Sequence, residues 1–210
     1  TNVTTESVRA NWNTLGNPVG TRYLAQLDTN AGFSSPDQSS ETALSSVTFS
    51  GLALNATYYV QVQAINSEGA RTAFTSLGST ATLSAIPLTQ VSTYTAVAIS
   101  SLAFQWQGNS NPSDTLYTAE LSSFSNFSPL AGSSVTMRTQ ASLTGLTANT
   151  TYYARVRARN HQGVFTDYLV LNSTVTKAES VGALAYTNVL AVQLRANWST
   201  GINPSYTTYY

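Results

Sequence analysis

The chain has 210 residues, with nine basic and nine acidic side chains, one histidine and no cysteine. Charged residues make up 9% of it, against roughly 25% in an ordinary soluble domain. Scattered cations at zero net charge exclude a phosphate-binding surface, 42% hydrophobic residues exclude plain disorder, and the missing cysteines exclude a disulfide framework or a thiolate metal site.

Serine and threonine fill about 59 positions. The length allows one or two domains with cores that need no staples. No run of 18 apolar residues offers a membrane-spanning helix. Residues 1–5 are polar, with neither an initiator Met nor a signal-like segment, so the chain is read as a piece of a longer polypeptide.

A repeat runs through the whole sequence. Trp12, Trp106 and Trp198 are separated by 94 and 92 residues, and Arg9-Ala10-Asn11-Trp12 is repeated as Arg195-Ala196-Asn197-Trp198. Asn17-Pro18 answers Asn203-Pro204. Tyr23-Leu24-Ala25-Gln26-Leu27 answers Tyr117-Thr118-Ala119-Glu120-Leu121, and Phe33 answers Phe127. Further on, Asn55-Ala56-Thr57-Tyr58-Tyr59 answers Asn149-Thr150-Thr151-Tyr152-Tyr153, and the turn at 66–69 answers that at 160–163. Residues 187–210 replay residues 1–24, so the period is near 93 residues.

Each unit reads as strands. Tyr23, Ala25 and Leu27 alternate with polar neighbours, as do Leu52, Leu54, Ala56, Tyr58, Val60, Val62 and Ala64. The second copy repeats this with Leu102, Phe104 and Trp106, then Leu146, Ala148, Thr150, Tyr152, Ala154, Val156 and Ala158. No helical stripe is sustained, and Gly, Asn, Ser and Pro clusters punctuate the pattern every 8–12 residues or so. About seven short strands in a unit of this size predict a two-sheet antiparallel sandwich.

The sequence resembles the fibronectin type III family. The resemblance is carried by the early-strand tryptophan (Trp12, Trp106, Trp198), the corners Leu52…Tyr58 and Leu146…Tyr152, and the Ala-x-Asn-x-x-Gly turns that follow. The form Asn149-Thr150-Thr151-Tyr152-Tyr153 is most similar to bacterial members, and Ala56 departs mildly from the usual threonine. The resemblance implies an all-β, immunoglobulin-like tandem. It places a repeat lacking its A strand at 1–84, a complete repeat at 85–177, and the A strand, B strand and start of C of a third at 178–210. Trp12, Tyr58, Trp106, Tyr152 and Trp198 are then structural core. Short junctions imply a semi-rigid rod.

Chemistry is sparse. His161 falls in a turn, has no cysteine partner and is replaced by Ser67 in the first copy, so metal or triad chemistry is not expected. The nine carboxylates form no recurring acid–base pair and no calcium-type run. No catalytic, cofactor-binding or metal-binding residue is assigned, and no cofactor is expected. Arg155, Arg157 and Arg159 share the outward face of one strand, where the first copy has Gln61, Gln63 and Ile65. They read as an ordinary solvated face in preference to an anion-binding stripe, with Glu120 on the neighbouring strand facing them as an exposed pair. Tyr59 and Tyr153 point outward and read as packing residues. Six sequons, at Asn2, Asn55, Asn126, Asn149, Asn172 and Asn197, are candidate N-glycosylation sites, in number close to chance. No Arg-Gly-Asp adhesion motif occurs.

These features favour a non-catalytic structural or interaction segment of a large extracellular or cell-surface repeat protein, acting as spacer, adhesive stalk or filament-forming array. The alternatives are a connector array in a secreted carbohydrate-active enzyme, or a ligand-binding ectodomain. Expected partners are other copies or neighbouring repeats, with surface proteins and glycans next, and neither nucleic acid nor membrane insertion. Residues 183–191 read as an A strand without a partner; a longer array, of which this sequence is a part, is the preferred reading of that phase, and donation of the strand to another molecule's open sheet is the alternative.

Overall fold

A computed structural model describes residues 2–210. The first repeat contains β1 (Asn2–Val3), β2 (Ser7–Asn11), β3 (Arg22–Asp28), β4 (Gln38–Thr42), β5 (Ser46–Ser50), β6 (Thr57–Ile65) and β7 (Thr75–Ala81). Two antiparallel sheets form from these, in the orders β1-β2-β5 and β4-β3-β6-β7. Alternating residues of β3 and β6 point to the core. Tyr23, Ala25, Leu27, Tyr58, Val60 and Val62 are buried there against Val8, Ala10 and Phe49 of the other sheet.

The second repeat follows the same plan with β8 (Leu88–Val97), β9 (Ser101–Gln107), β10 (Leu116–Ser122), β11 (Gly132–Thr136), β12 (Gln140–Thr144), β13 (Thr151–Arg159), β14 (Leu169–Val170) and β15 (Thr174–Val175). Its sheets are β12-β9-β8 and β11-β10-β13-β14, with β15 also pairing β13. The all-β, two-sheet expectation holds, and no residue among those described is helical.

Registers show how closely the repeats agree. Asn2 pairs Arg9 and Val3 pairs Val8 in the first; Ala96 pairs Ala103 and Val97 pairs Leu102 in the second, 94 positions on. The first repeat therefore retains the last two residues of the A strand that the sequence reading had left out. Left-handed backbone recurs at the same offset, at Asn55 (φ 46°) and Asn149 (φ 45°). Asparagine tolerates this conformation better than most side chains, which accounts for its place ahead of each tyrosine corner. The corners themselves close alike. The Ala53 N–H donates to the Tyr58 hydroxyl at 3.0 Å and the Thr147 N–H to the Tyr152 hydroxyl at 2.9 Å.

A detail missed in the sequence braces both corners. Thr82 accepts from the Ala56 N–H and donates to the Ala53 carbonyl. Thr176 accepts from the Thr150 N–H and donates to the Thr147 carbonyl. Both threonines are buried. In sequence they are lost among the other threonines.

The third stretch forms two short pairings. β16 (Gly182–Ala183) pairs β19 (Trp198–Ser199), and β17 (Thr187–Leu190) pairs β18 (Gln193–Arg195). Among the described residues no second sheet faces this hairpin, and Trp198 is 48% exposed. Part of the A strand expected at 183–191 pairs within its own chain, Ala183 with β19 and Thr187 and Leu190 with β18, which counts against donating it.

The chain divides into two compact units whose limits differ from the repeat boundaries. One comprises Thr1–Ile86, Gly108–Leu116 and Arg157–Asp167; the other comprises Pro87–Gln107, Tyr117–Val156 and Tyr168–Tyr210.

Candidate interaction surface

The residue types that the sequence singled out for chemistry are dispersed. Among the described residues, no three His, Asp or Glu side chains gather in metal-binding reach. Polar organisation concentrates instead on asparagine and threonine at the loops.

In the first unit, the Asn55 side chain is completely buried. Its Nδ2 donates to Thr115 Oγ1 at 2.9 Å, and its Oδ1 accepts from the His161 N–H at 2.8 Å. Asn160 Oδ1 caps its own turn by accepting from the Gln162 and Val164 N–H groups. Its Nδ2 donates to the Thr82 carbonyl at 3.1 Å. Asn111 completes the set, accepting from the Ala85 N–H at 2.7 Å and donating to the Ala85 carbonyl at 2.8 Å. Buried amides must have such partners, because an unpaired one costs about 1–3 kcal/mol.

The second unit contains the counterpart. Asn149 Nδ2 donates to Thr207 Oγ1 at 2.9 Å, and Asn203 accepts from the Glu179 N–H at 2.7 Å and donates to the Glu179 carbonyl at 2.8 Å. The asparagine–threonine contact thus occurs twice, as Asn55–Thr115 and Asn149–Thr207, close to the repeat spacing. Asn-Pro was legible in the sequence as an anchor, whereas the threonine three residues beyond the proline was not.

His161 lies in the expected turn, and its backbone N–H carries the contact with Asn55. The ring Nε2 is 3.2 Å from Asp114 and half exposed. The arginine face differs from the solvated stripe expected. Arg155 Nε donates to Glu120 Oε2 at 2.7 Å, with only 23% and 9% of the two side chains exposed. The Arg155 guanidinium lies 3.9 Å from the Tyr168 ring centre and 4.3 Å from that of Phe127, while the Tyr168 hydroxyl donates to Glu120 Oε1 at 3.0 Å. Glu120 does face the stripe, but this pair is enclosed by rings rather than exposed. Arg157 stacks on Phe165 at 3.8 Å.

The sequon asparagines divide by burial. Asn2, Asn126 and Asn172 are exposed. Asn55 is withdrawn as a glycan site, because its amide nitrogen is buried and committed to Thr115. In the folded chain the amides of Asn149 and Asn197 are also committed, to Thr207 and to the Ala185 carbonyl. Tyr58, Tyr152 and Trp106 are buried, Trp12 is half-buried, and Tyr59 and Tyr153 are half-buried on the outer face.

One opening accompanies these loops. Asn17, Thr21, Arg22, Asn66, Ser67 and Arg71 line a cleft of about 820 Å³ in the first unit.

No family model matches the sequence, and no curated protein matches it. Solved structures do resemble it. A two-domain fibronectin type III segment of chicken tenascin is 11% identical, with a TM-score of 0.53, over 84% of this chain and 95% of that one. The first three fibronectin domains of chicken CNTN1 are 13% identical, with a TM-score of 0.36, over 83% of this chain and 64% of that one. With the registers above, the fold is that of tandem fibronectin type III, immunoglobulin-like sandwiches.

Proposed function

We propose that this chain is a non-catalytic structural and interaction segment of an extracellular or cell-surface repeat protein, serving as a spacer, stalk or fibre-forming array. One observation carries the reading: what recurs between repeats is the scaffold. The tyrosine corners, bracing threonines and asparagine–threonine pairs return at fixed offsets with nearly equal distances. The outward faces diverge, with Gln61, Gln63 and Ile65 against Arg155, Arg157 and Arg159. Repetition directed at a ligand site would keep the face; repetition directed at architecture keeps the frame.

Low charge fits the same role. Faces clothed in Ser, Thr, Asn and Gln repel one another weakly, which tolerates close packing of copies. The exposed Asn2, Asn126 and Asn172 are candidates for N-linked sugar in a secretory setting.

Antibodies raised against the chain should label the outside of intact source cells or their secreted material. Labelling confined to the cytosol would contradict the assignment. A hydrolase module on the same polypeptide, with binding of the intact protein to polysaccharide, would instead favour the connector role.

A further inference from the structure

We propose that the cleft between the loops at 14–21 and 66–70 of the first repeat is a docking surface for the C-terminal end of another repeat of this type, in cis or in trans. The partner is specified by its chemistry: a left-handed asparagine ahead of a tyrosine corner, with its side-chain amide projecting. The proposal deepens the array reading above and rests on it.

Two equivalents of this surface are occupied within the chain. The 108–116 and 157–167 loops of the second repeat hold Asn55 through Thr115 Oγ1 and the His161 N–H. In the second unit Thr207 holds Asn149 in the same way. The corresponding groups of the first repeat are Thr21 and the Ser67 N–H, with Asn17 in the place of Asn111 and Asn66 in that of Asn160.

The first-repeat loops already have the receiving conformation. The Asn17 N–H donates to the Thr14 carbonyl at 3.1 Å, as Asn111 does to Gly108 at 3.2 Å and Asn203 to Thr200 at 3.3 Å. The Thr21 N–H donates to the Pro18 carbonyl at 3.2 Å, against 3.0 Å for both Thr115 to Pro112 and Thr207 to Pro204. Asn66 Oδ1 accepts from the Glu68 and Ala70 N–H groups at 3.1 and 2.7 Å, matching the Asn160 turn.

What differs is burial. Asn160 is 4% exposed and Thr115 is fully buried, whereas Asn66 is exposed and Thr21 half-buried. The Thr21 hydroxyl donates to the Pro18 carbonyl at 2.8 Å, which orients its hydrogen inward and leaves the oxygen to accept from an incoming amide. Among the described residues, nothing takes the Ser67 N–H or Asn66 Nδ2. These two donors correspond to the ones that reach across to Asn55 and Thr82 in the occupied case. A preformed loop pair that keeps its shape without the partner lowers the ordering cost of docking.

The test places residues 85–186 directly ahead of Thr1 of the full chain, which preserves the 186-residue spacing between residues 187 and 1. Amide hydrogen exchange is then read by NMR. The Ser67 amide should exchange about ten-fold more slowly than in the unextended chain, approaching His161 of the same molecule. Asn149→Ala in the added copy should abolish this slowing and leave His161 unchanged. Protection of the β13 amides in the added copy verifies that it is folded. If it is folded and Ser67 exchanges equally fast with and without it, the docking assignment is overturned. The measurement uses purified protein, so its outcome is independent of where the native chain resides.

Discussion

Two stretches of this chain share the sequence Arg-Ala-Asn-Trp and pair the tryptophan with a tyrosine, yet they differ in burial. Trp12 and Tyr23 rings lie 5.6 Å apart, and the equivalent Trp198 and Tyr209 rings 6.2 Å apart. In the first repeat the residues around the tryptophan are covered, with Val8 fully buried and Ala10 5% exposed. In the third stretch the matching Leu194 is 57% exposed and Trp198 48% exposed. Local sequence suffices for the hairpin and the ring pair. Burial needs the opposite sheet, which β3 and β6 provide for β2, and which β10 and β13 provide for β9. The complete second repeat sets the limit of the series, with Trp106 at 2%.

The comparison can be broken first at the tryptophans. Trp106→Ala should cost about 3–5 kcal/mol, the range for emptying a large aromatic site in a packed core. Trp12→Ala should cost less, and Trp198→Ala within about 0.5 kcal/mol, as at an open surface. Urea unfolding of the three variants measures this; equal costs would show that the third hairpin is as well covered as the second repeat.

A smaller effect is expected at the corner asparagines. Asn55→Ala strands the Thr115 hydroxyl and the His161 N–H and leaves alanine in a left-handed conformation, a loss of about 2–3 kcal/mol. Asn149→Ala should lose less, because Asn149 is only part-buried. Thermal unfolding of the pair gives the ranking, and the reverse order would mean that burial is not what sets the strength of these contacts.

Smaller again are the tyrosine corners. Tyr58→Phe and Tyr152→Phe each remove one acceptor from a backbone N–H and should each cost about 1 kcal/mol. Their near-equality, read by chemical denaturation, tests whether the two repeats really use one frame.

A pH dependence confined to the second repeat comes last, because it is silent at neutral pH and emerges only under alkaline conditions. The Tyr94 hydroxyl donates to the Asn172 carbonyl at 2.5 Å, and burial pushes its pKa from 10.0 up to about 12. The unfolded chain releases this proton first, so the contribution of Tyr94 is intact below pH 10 and disappears as the pH rises toward 12. Between these limits stability should fall more steeply in the parent chain than in Tyr94→Phe. Parallel curves would remove Tyr94 from the account.

How legible was all this in the sequence? The strands of the sandwiches announced themselves, because apolar alternation at Tyr58, Val60 and Val62 follows directly from a half-buried sheet. The shared face of Glu120 and Arg155 followed from register. Their enclosure by Phe127 and Tyr168 did not, since it depends on loops that alternation leaves unplaced. Trp198 read as core from the same motif, and residues 178–210 supply only one of the two sheets that make a core. The joining loops were hardest. Thr115 and Thr207 matter through partners about 60 positions away, and among 31 threonines no local signal marks them. Asn55 looked like a sequon because the acceptor motif says nothing of burial.

The central claim is that one repeat frame is built more than once, and that coverage by a second sheet separates core from surface. Native-state hydrogen exchange on the unmodified chain tests it most directly. Amides of β6 and β13 should exchange only by opening of their own sandwich, whereas those of β17 and β18 should exchange orders of magnitude faster, near the rate of an open hairpin. Protection of β17 and β18 equal to that of β8 and β9 would contradict the account.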